Sequence, residues 1–305
     1  MIPDTFSELD KVMISKHIKR IDATEALTDF YKLKEIGSNA ATISSRSRVG
    51  NNVVDFFTFK ERLNTKGKYN MNYYEFITNL DEFKKKKFIN NMLTYYRDVK
   101  NKNKTKNEYI VLKEVYNICI SAINIFRPLV AMQIYLKYNP VTVLDFTCGW
   151  GGRLVGACAL NVPNYIGIDI NSNLSTAYGE MINFLSPHTQ TNAQVFIKDA
   201  VLFDYSSIEY DMVLTSPPYY FLEKYSNNTC YGGSKEEMNK YFYTPLFSNT
   251  FNYLKSGGQY CLNINKEIYD NVCVPILGIA HETIELRKSK RQNDYGEFIY
   301  IWLKK

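Results

Sequence analysis

The most constraining stretch of this sequence is Val143-Leu144-Asp145-Phe146-Thr147-Cys148-Gly149-Trp150-Gly151-Gly152-Arg153, where a short apolar run passes into a glycine-rich turn and then into a helix-forming segment. Glycine lets the backbone bend sharply and lets a ligand approach with no Cβ in the way. At the carboxyl end of a buried strand, such a turn is where doubly wound sheets bind nucleotides. Two glycines also make a purely steric strand-to-helix turn, so the spacing of the downstream acids decides the reading.

Asp169 ends the next apolar run, Tyr165-Ile166-Gly167-Ile168, 24 residues after Asp145. An acid there can accept two hydrogen bonds from ribose hydroxyls. Asp199, in Lys198-Asp199-Ala200, ends the third run and can accept from an adenine amino group. Each acid alone could be a helix N-cap, but acids at three successive strand ends point to a nucleotide-like cofactor. The order of residues differs from the G-x-G-x-x-G dinucleotide fingerprint, because the acid Asp145 precedes the glycines and Gly151 is followed by Gly152-Arg153.

The rest of the chain supports an α/β class. From about residue 112, apolar runs alternate with turn signals. Strands are expected at Val141–Phe146, Tyr165–Ile168, Gln194–Ile197, Met212–Thr215 and Gln259–Ile264, with a terminal hairpin of Thr283–Leu286 and Glu297–Leu303. A long helix is expected over Val111–Tyr138, ending before Asn139-Pro140. The fold expected is a Rossmann-like, doubly wound, mostly parallel seven-stranded sheet over 112–305, preceded by a mainly helical accessory region over 1–111 that includes a helical patch at Phe83–Tyr96.

Composition excludes several classes. No run approaches the roughly 20 apolar residues of a membrane span, and the N-terminus MIPDTFSELDK carries acids where a secretory signal would be basic and then apolar. A non-membrane, cytoplasmic protein is therefore expected. The six cysteines form no C-x-x-C and stand far from the three histidines, so neither a metal nor a disulfide framework is expected. The net charge of +6 is compatible with a polyanionic partner without demanding one. Part of it lies in the lysine runs Lys84–Lys87 and Lys100 to Lys106, which read as solvated faces.

The fourth strand closes with Thr215-Ser216-Pro217-Pro218-Tyr219-Tyr220. The prolines end the ladder and stiffen the backbone. The Ser216 side chain and the Pro217 carbonyl can then accept hydrogen bonds from an –NH₂ group, and Tyr219 offers a flat face for a base taken out of its stack. This motif resembles the D/N/S-P-P-Y/F signature of class I S-adenosylmethionine-dependent amino-methyltransferases, which modify adenine N6 or cytosine N4 in DNA. Phe126-Arg127-Pro128-Leu129-Val130 resembles the K-P-L segment of the same enzymes, with Arg127 in place of the lysine, and the loop from Asp145 to Gly151 resembles their cofactor loop.

The resemblance covers residues 124 to 265. It implies S-adenosylmethionine as cofactor, held by Arg127, Asp145, Thr147, Gly149, Gly151, Asp169 and Asp199, and catalysis by Ser216, Pro217, Pro218 and Tyr219. Asp145 would face the amino-acid part of the cofactor, Asp169 the ribose and Asp199 the adenine. Two departures stand out. The helix entry of the cofactor loop differs from D-P-F-x-G-S-G-T, and about 35 residues between Tyr220 and Ser256 leave no room for a separate target-recognition domain.

Recognition is then expected from the loop Phe221–Ser234, read as a lid over the target base, and from basic residues interleaved with aromatics. These are Arg46, Arg48, Lys60, Arg62, Lys66 and Lys68 among Phe56, Phe57, Phe59, Tyr69, Tyr73 and Tyr74, with a second basic turn at Arg287–Arg291. The expected activity is methylation of an exocyclic base amine in DNA, as in restriction-modification. Alternatives are an RNA base, a protein amide, or a silent nucleic-acid-binding subunit. The abundance of Asn, Lys, Ile and Tyr points to an AT-rich genome such as a virus or mobile element, and the oligomeric state stays open, a homodimer included.

Overall fold

The computed structural model describes residues 2–67, 69–221, 231–286 and 297–305. Two compact units share the chain. The first comprises 2–23 and the described residues of 58–124, together with Phe221. The second comprises Thr24–Phe57, Ile125–Tyr220 and the described residues after 230. The change of texture near residue 112 and the compact units therefore do not coincide.

The first unit is helical. Its core gathers Ile14, Leu63, Phe76, Leu112, Val115 and Tyr116, and local signals set its helix ends. Asn72 and Glu75 form a reciprocal capping box that opens the helix Tyr73–Thr78. Tyr73 and Tyr74 lie fully inside this core, their hydroxyls donating to the carbonyls of Tyr109 (2.8 Å) and Lys11 (3.2 Å). They are packing residues and offer no stacking face to a base, because their rings are spent on the core and their polar tips on backbone carbonyls. The helical patch at Phe83–Tyr96 is split into Leu80–Lys84 and Lys87–Thr94, followed by a π-helical turn Tyr95–Lys100.

The second unit is built on the seven-stranded sheet. Its strands are β1 (Thr142–Asp145), β2 (Asn164–Asp169), β3 (Asn192–Ile197), β4 (Met212–Thr215), β5 (Gln259–Ile264), β6 (Glu282–Leu286) and β7 (Glu297–Leu303). Their spatial order is β3-β2-β1-β4-β5-β7-β6. The first five are parallel, and β7 runs antiparallel between β5 and β6. This is the mostly parallel, doubly wound sheet expected from the apolar runs. The strand order reverses direction between β1 and β4, so the crevice at their carboxyl ends is the topological switch point.

The helix expected over Val111–Tyr138 is in fact two helices, Glu108–Cys119 and Pro128–Tyr138, with residues 121–127 between them outside regular structure. Pro128 sits at the first position of the second helix, where its missing N–H is no loss. A proline there pushes the residue before it out of helical conformation, and Arg127 accordingly has ψ 133°. The apolar periodicity continues across the break, which is why the pattern reads as one helix.

Residues ahead of the break fasten to this second helix. Gln133 Nε2 donates to the carbonyls of Ala40 (2.9 Å) and Ile43 (2.7 Å), and Arg127 Nη1 donates to that of Ser45 (2.6 Å). Tyr31 meets His188 at 2.8 Å, and Phe57 packs edge-on to Phe184. Among the described residues no helix is long and apolar enough to cross a membrane. Cys148, Cys158, Cys261 and Cys273 are buried.

Candidate active site

The glycine-rich turn lies at the carboxyl end of β1. Gly149 and Gly151 have φ of 57° and 83°, left-handed values that a residue with a Cβ adopts only under strain. A Cβ on Gly151 would press on Met181 at 2.9 Å, and one on Gly152 would overlap the Phe126 carbonyl oxygen. A Cβ on Gly149 would meet nothing nearer than the Thr147 carbonyl at 3.8 Å. Gly152 is therefore demanded by packing and Gly151 by its left-handed backbone, since the end of Met181 can move aside, whereas open space faces Gly149.

Asp169, at the end of β2, reaches back to this turn. Its Oδ2 accepts from the Gly149 amide (2.7 Å) and the Tyr178 hydroxyl (3.1 Å), and its Oδ1 from the Asn171 amide (2.9 Å). The same Tyr178 proton is shared with the Gly149 carbonyl. Burial raises the Asp169 carboxyl to about 6, although the Asn171 and Gly149 amides and the Tyr178 hydroxyl pull it down. The residue as a whole is partly exposed.

Asp145 is closed off, with 0% exposure. Its Oδ2 accepts from Arg153 Nε and from the Tyr165 hydroxyl, each at 2.6 Å, while Oδ1 has no donor. Arg153 is buried too. It donates Nη2 to the Thr147 carbonyl at 2.6 Å and lies over the Phe126 ring at 5.0 Å. Arg153 therefore ties the leading acid to the loop it precedes, a role that its place at the helix entry did not suggest. Nothing in the local pattern could have paired it with Asp145 rather than with solvent.

Asp199, after β3, accepts from the Val201 amide at 2.9 Å, as a turn-closing aspartate does. Its other oxygen is engaged by the Tyr231 hydroxyl. Tyr231 belongs to the loop expected to act as a lid, and Leu222–Cys230 of that loop lie outside the described residues. The same holds for Lys68 and the basic turn Arg287–Arg291. Of the remaining basic residues, Lys60 pairs with Glu8 (2.7 Å), Lys66 with Glu75 (2.6 Å), and Arg62 lies over Phe59 (5.2 Å).

Arg46 and Arg48 are different. Both are exposed, on the loop whose Ser45 carbonyl holds Arg127. Burial, with Arg48 and Arg46 beside it, draws the Arg127 guanidinium below its ordinary value. Three like charges share this corner of the sheet unit. Phe126, next to Arg127, abuts Gly152 at the foot of the glycine turn.

The Ser-Pro-Pro-Tyr segment follows β4. Thr215 Oγ1 accepts from the Thr147 amide (3.2 Å) and meets Thr147 Oγ1 at 2.7 Å, which joins the two loops across the switch point. Tyr243 grips the segment from behind. Its hydroxyl donates to the Pro218 carbonyl (2.6 Å) and accepts from the Tyr220 amide (2.9 Å). Tyr220 itself has φ 51°, an unfavourable value for a bulky residue that surrounding contacts must enforce. Among the described residues no backbone donor reaches the Pro217 carbonyl.

Two further residues enter this site that the motifs did not mark. Asn263 Oδ1, on β5, lies 3.1 Å from Ser216 Oγ and 3.0 Å from the Tyr219 hydroxyl, and Glu297 Oε1 lies 3.0 Å from the same hydroxyl. The signal available was an asparagine inside the otherwise apolar end of β5, Leu262-Asn263-Ile264.

The strand order, the reversal at β1 and β4 and the loops gathered at that point define a Rossmann-like, doubly wound α/β protein. Among solved structures, the chain is similar to TrmN from Thermus thermophilus (17% identity, TM-score 0.43, covering 58% of this chain and 48% of that one). It is also similar to an rRNA methylase from Streptococcus thermophilus (14%, 0.40, 60% and 100%) and to NSun6 from Pyrococcus horikoshii (14%, 0.40, 57% and 50%). The chain thus spans about half the length of two of these three. Its sequence matches no protein-family model and no curated protein.

Proposed function

We propose that the chain is an S-adenosylmethionine-dependent methyltransferase acting on an exocyclic amine of a nucleic-acid base. The observation that carries this reading is the Thr147–Thr215 junction, which sets a glycine-lined turn beside a Ser-Pro-Pro-Tyr loop at the switch point. The residues fit the cofactor. Gly149 faces open space and Asp169, a partly exposed residue beside it, offers its carboxylate for ribose hydroxyls, while Asp145, closed off and paired with Arg153, braces the loop rather than touching the cofactor. Bound there, S-adenosylmethionine supplies a methyl group on a positively charged sulfur.

The chain's own contribution is positioning. Ser216 Oγ and the Pro217 carbonyl hold the target –NH₂ and aim its lone pair, and Tyr219 supports the base. The amine nitrogen forms the new C–N bond as the C–S bond breaks, and its surplus proton leaves to water. Arg46, Arg48 and Arg127 supply positive charge for the polymer's phosphates.

The catalytic motif supports DNA as the polymer. An RNA base presents the same amine, and one of the similar structures is named an rRNA methylase, so both polymers belong in the test. The purified chain is incubated with labelled S-adenosylmethionine and unmodified DNA and RNA, and the nucleosides are analysed by mass spectrometry. Labelled N4-methylcytosine or N6-methyladenine is expected, and its polymer of origin decides between DNA and RNA. Transfer that persists in the Ser216→Ala, Tyr219→Ala double variant sinks the reading.

A further inference from the structure

A serine hydroxyl is an ambiguous recognition group. It carries one donor proton and two acceptor lone pairs and turns freely, so it can greet an amino group or a carbonyl oxygen equally. At Ser216 that freedom is removed. Asn263 Oδ1 lies 3.1 Å from Ser216 Oγ, and Asn263 Nδ2 donates to the Phe298 carbonyl at 3.0 Å. A backbone carbonyl only accepts, so the amide nitrogen must face Phe298 and the amide oxygen must face Ser216. The reverse orientation would set two oxygens against each other at Phe298. Ser216 therefore spends its proton on Asn263 and turns only lone pairs toward a substrate.

The register explains why Asn263 is placed to do this. Thr215 pairs with Leu262 across β4 and β5, so Asn263 stands level with Ser216, one residue past the last pair. Asn263 is 2% exposed. A buried asparagine is costly unless its polar atoms are matched. Here Oδ1 receives the Ser216 hydroxyl and shares the one Tyr219 proton with Glu297 Oε1, and Nδ2 reaches Phe298.

We propose that Asn263 is a positioning residue that fixes Ser216 as a pure hydrogen-bond acceptor and thereby selects an amino-bearing base over its keto counterpart. This rests on the amine-methylation reading above. A site committed to acceptance leaves a keto oxygen facing lone pairs with no donor, and such mismatches are rejected more strongly than a missing contact.

The test measures equilibrium binding of two pairs of nucleobase-containing oligonucleotides, adenine against hypoxanthine and cytosine against uracil, to the full chain in the presence of S-adenosylhomocysteine. The wild-type chain should favour one amino member by about tenfold, the worth of one satisfied against one mismatched hydrogen bond. Asn263→Leu should erase most of that preference, and in the Ser216→Ala background it should change nothing further, because the two residues act as one unit. Effects of Asn263→Leu and Ser216→Ala that simply multiply overturn the proposal, as does equal binding of amino and keto members by the wild-type chain. Should Asn263→Leu fail to fold, Asn263→Ala removes the same oxygen with a smaller side chain and must also erase most of the preference; a preference kept there overturns the proposal too. Binding preference without labelled methyl product would instead count against the methyl-transfer reading alone.

Discussion

Thr147 Oγ1 and Thr215 Oγ1 lie 2.7 Å apart, and the Thr147 amide donates to the same Thr215 oxygen at 3.2 Å. One threonine belongs to the loop after β1 and the other is the last residue of β4, so this pair sets the distance between the glycine turn and the Ser-Pro-Pro-Tyr loop. Thr215 is fully buried. Thr215→Val keeps the shape and strands the Thr147 N–H, which should cost about 1–3 kcal/mol in urea unfolding. Thr215→Ser restores the oxygen and should recover most of that loss. Methyl transfer by Thr215→Val should fall by more than its folded fraction does, because the loops lose their common anchor.

The glycines separate packing from binding. Gly152→Ala drives a methyl group into the Phe126 carbonyl, a backbone atom that cannot swing away, so a drop in stability of about 2 kcal/mol or more is expected. Gly149→Ala meets only open space and should cost about 1 kcal/mol for its left-handed backbone. If that space holds the cofactor, Gly149→Ala should weaken S-adenosylmethionine binding well beyond what its small stability loss explains. Calorimetric titration alongside thermal unfolding distinguishes the two variants.

If Asp169 receives the ribose, cofactor binding should depend on pH. Its carboxyl is raised to about 6 from an ordinary 3.8 by burial. The folded chain thus holds this proton more tightly than the unfolded chain does, and the group's contribution to stability falls as pH rises from 3.8 to about 6. Ribose hydroxyls at this site would donate to the ionised form, so binding should run the opposite way. Affinity for S-adenosylmethionine should be flat above pH 6 and fall below it, by up to about tenfold per unit. Asp169→Asn should bind weakly and lose this dependence. Titrations between pH 5 and 8 check both statements.

Much of the sheet was legible because its strands are short apolar runs that end in turns. The bounds of β4, β5 and β7 agree with those runs residue for residue. The acids Asp145 and Asp169 stand at strand ends as their spacing indicates, and Asp199 stands two residues past the end of β3. Their partners were not legible. Arg153 turns back to Asp145, Tyr231 reaches Asp199 over 32 positions, and Asn263 reaches Ser216 over 47. Such pairings come from strand order and register, which local pattern does not encode. The break before Pro128 was hidden for a different reason, since apolar periodicity persists through Ile120 and Ile123, both buried without being helical.

Arg46 and Arg48 give a last test, on how the polymer is held. They are exposed cations on a loop fixed by the Arg127–Ser45 hydrogen bond, and their charge, added to burial, already lowers the Arg127 guanidinium. A phosphate between them would relieve that repulsion and release counterions. Each phosphate contact contributes about 0.9 to the slope of log affinity against log salt for duplex DNA, or about 0.7 for a single strand. Replacing both arginines by alanine should therefore lower the slope by about 1.4 to 1.8 and weaken binding alike across sequences. Affinity for S-adenosylmethionine should not move. A double variant whose salt slope equals that of the wild type removes this loop from the polymer's path, since an exposed arginine in contact with a phosphate cannot be lost without losing the ion it displaced.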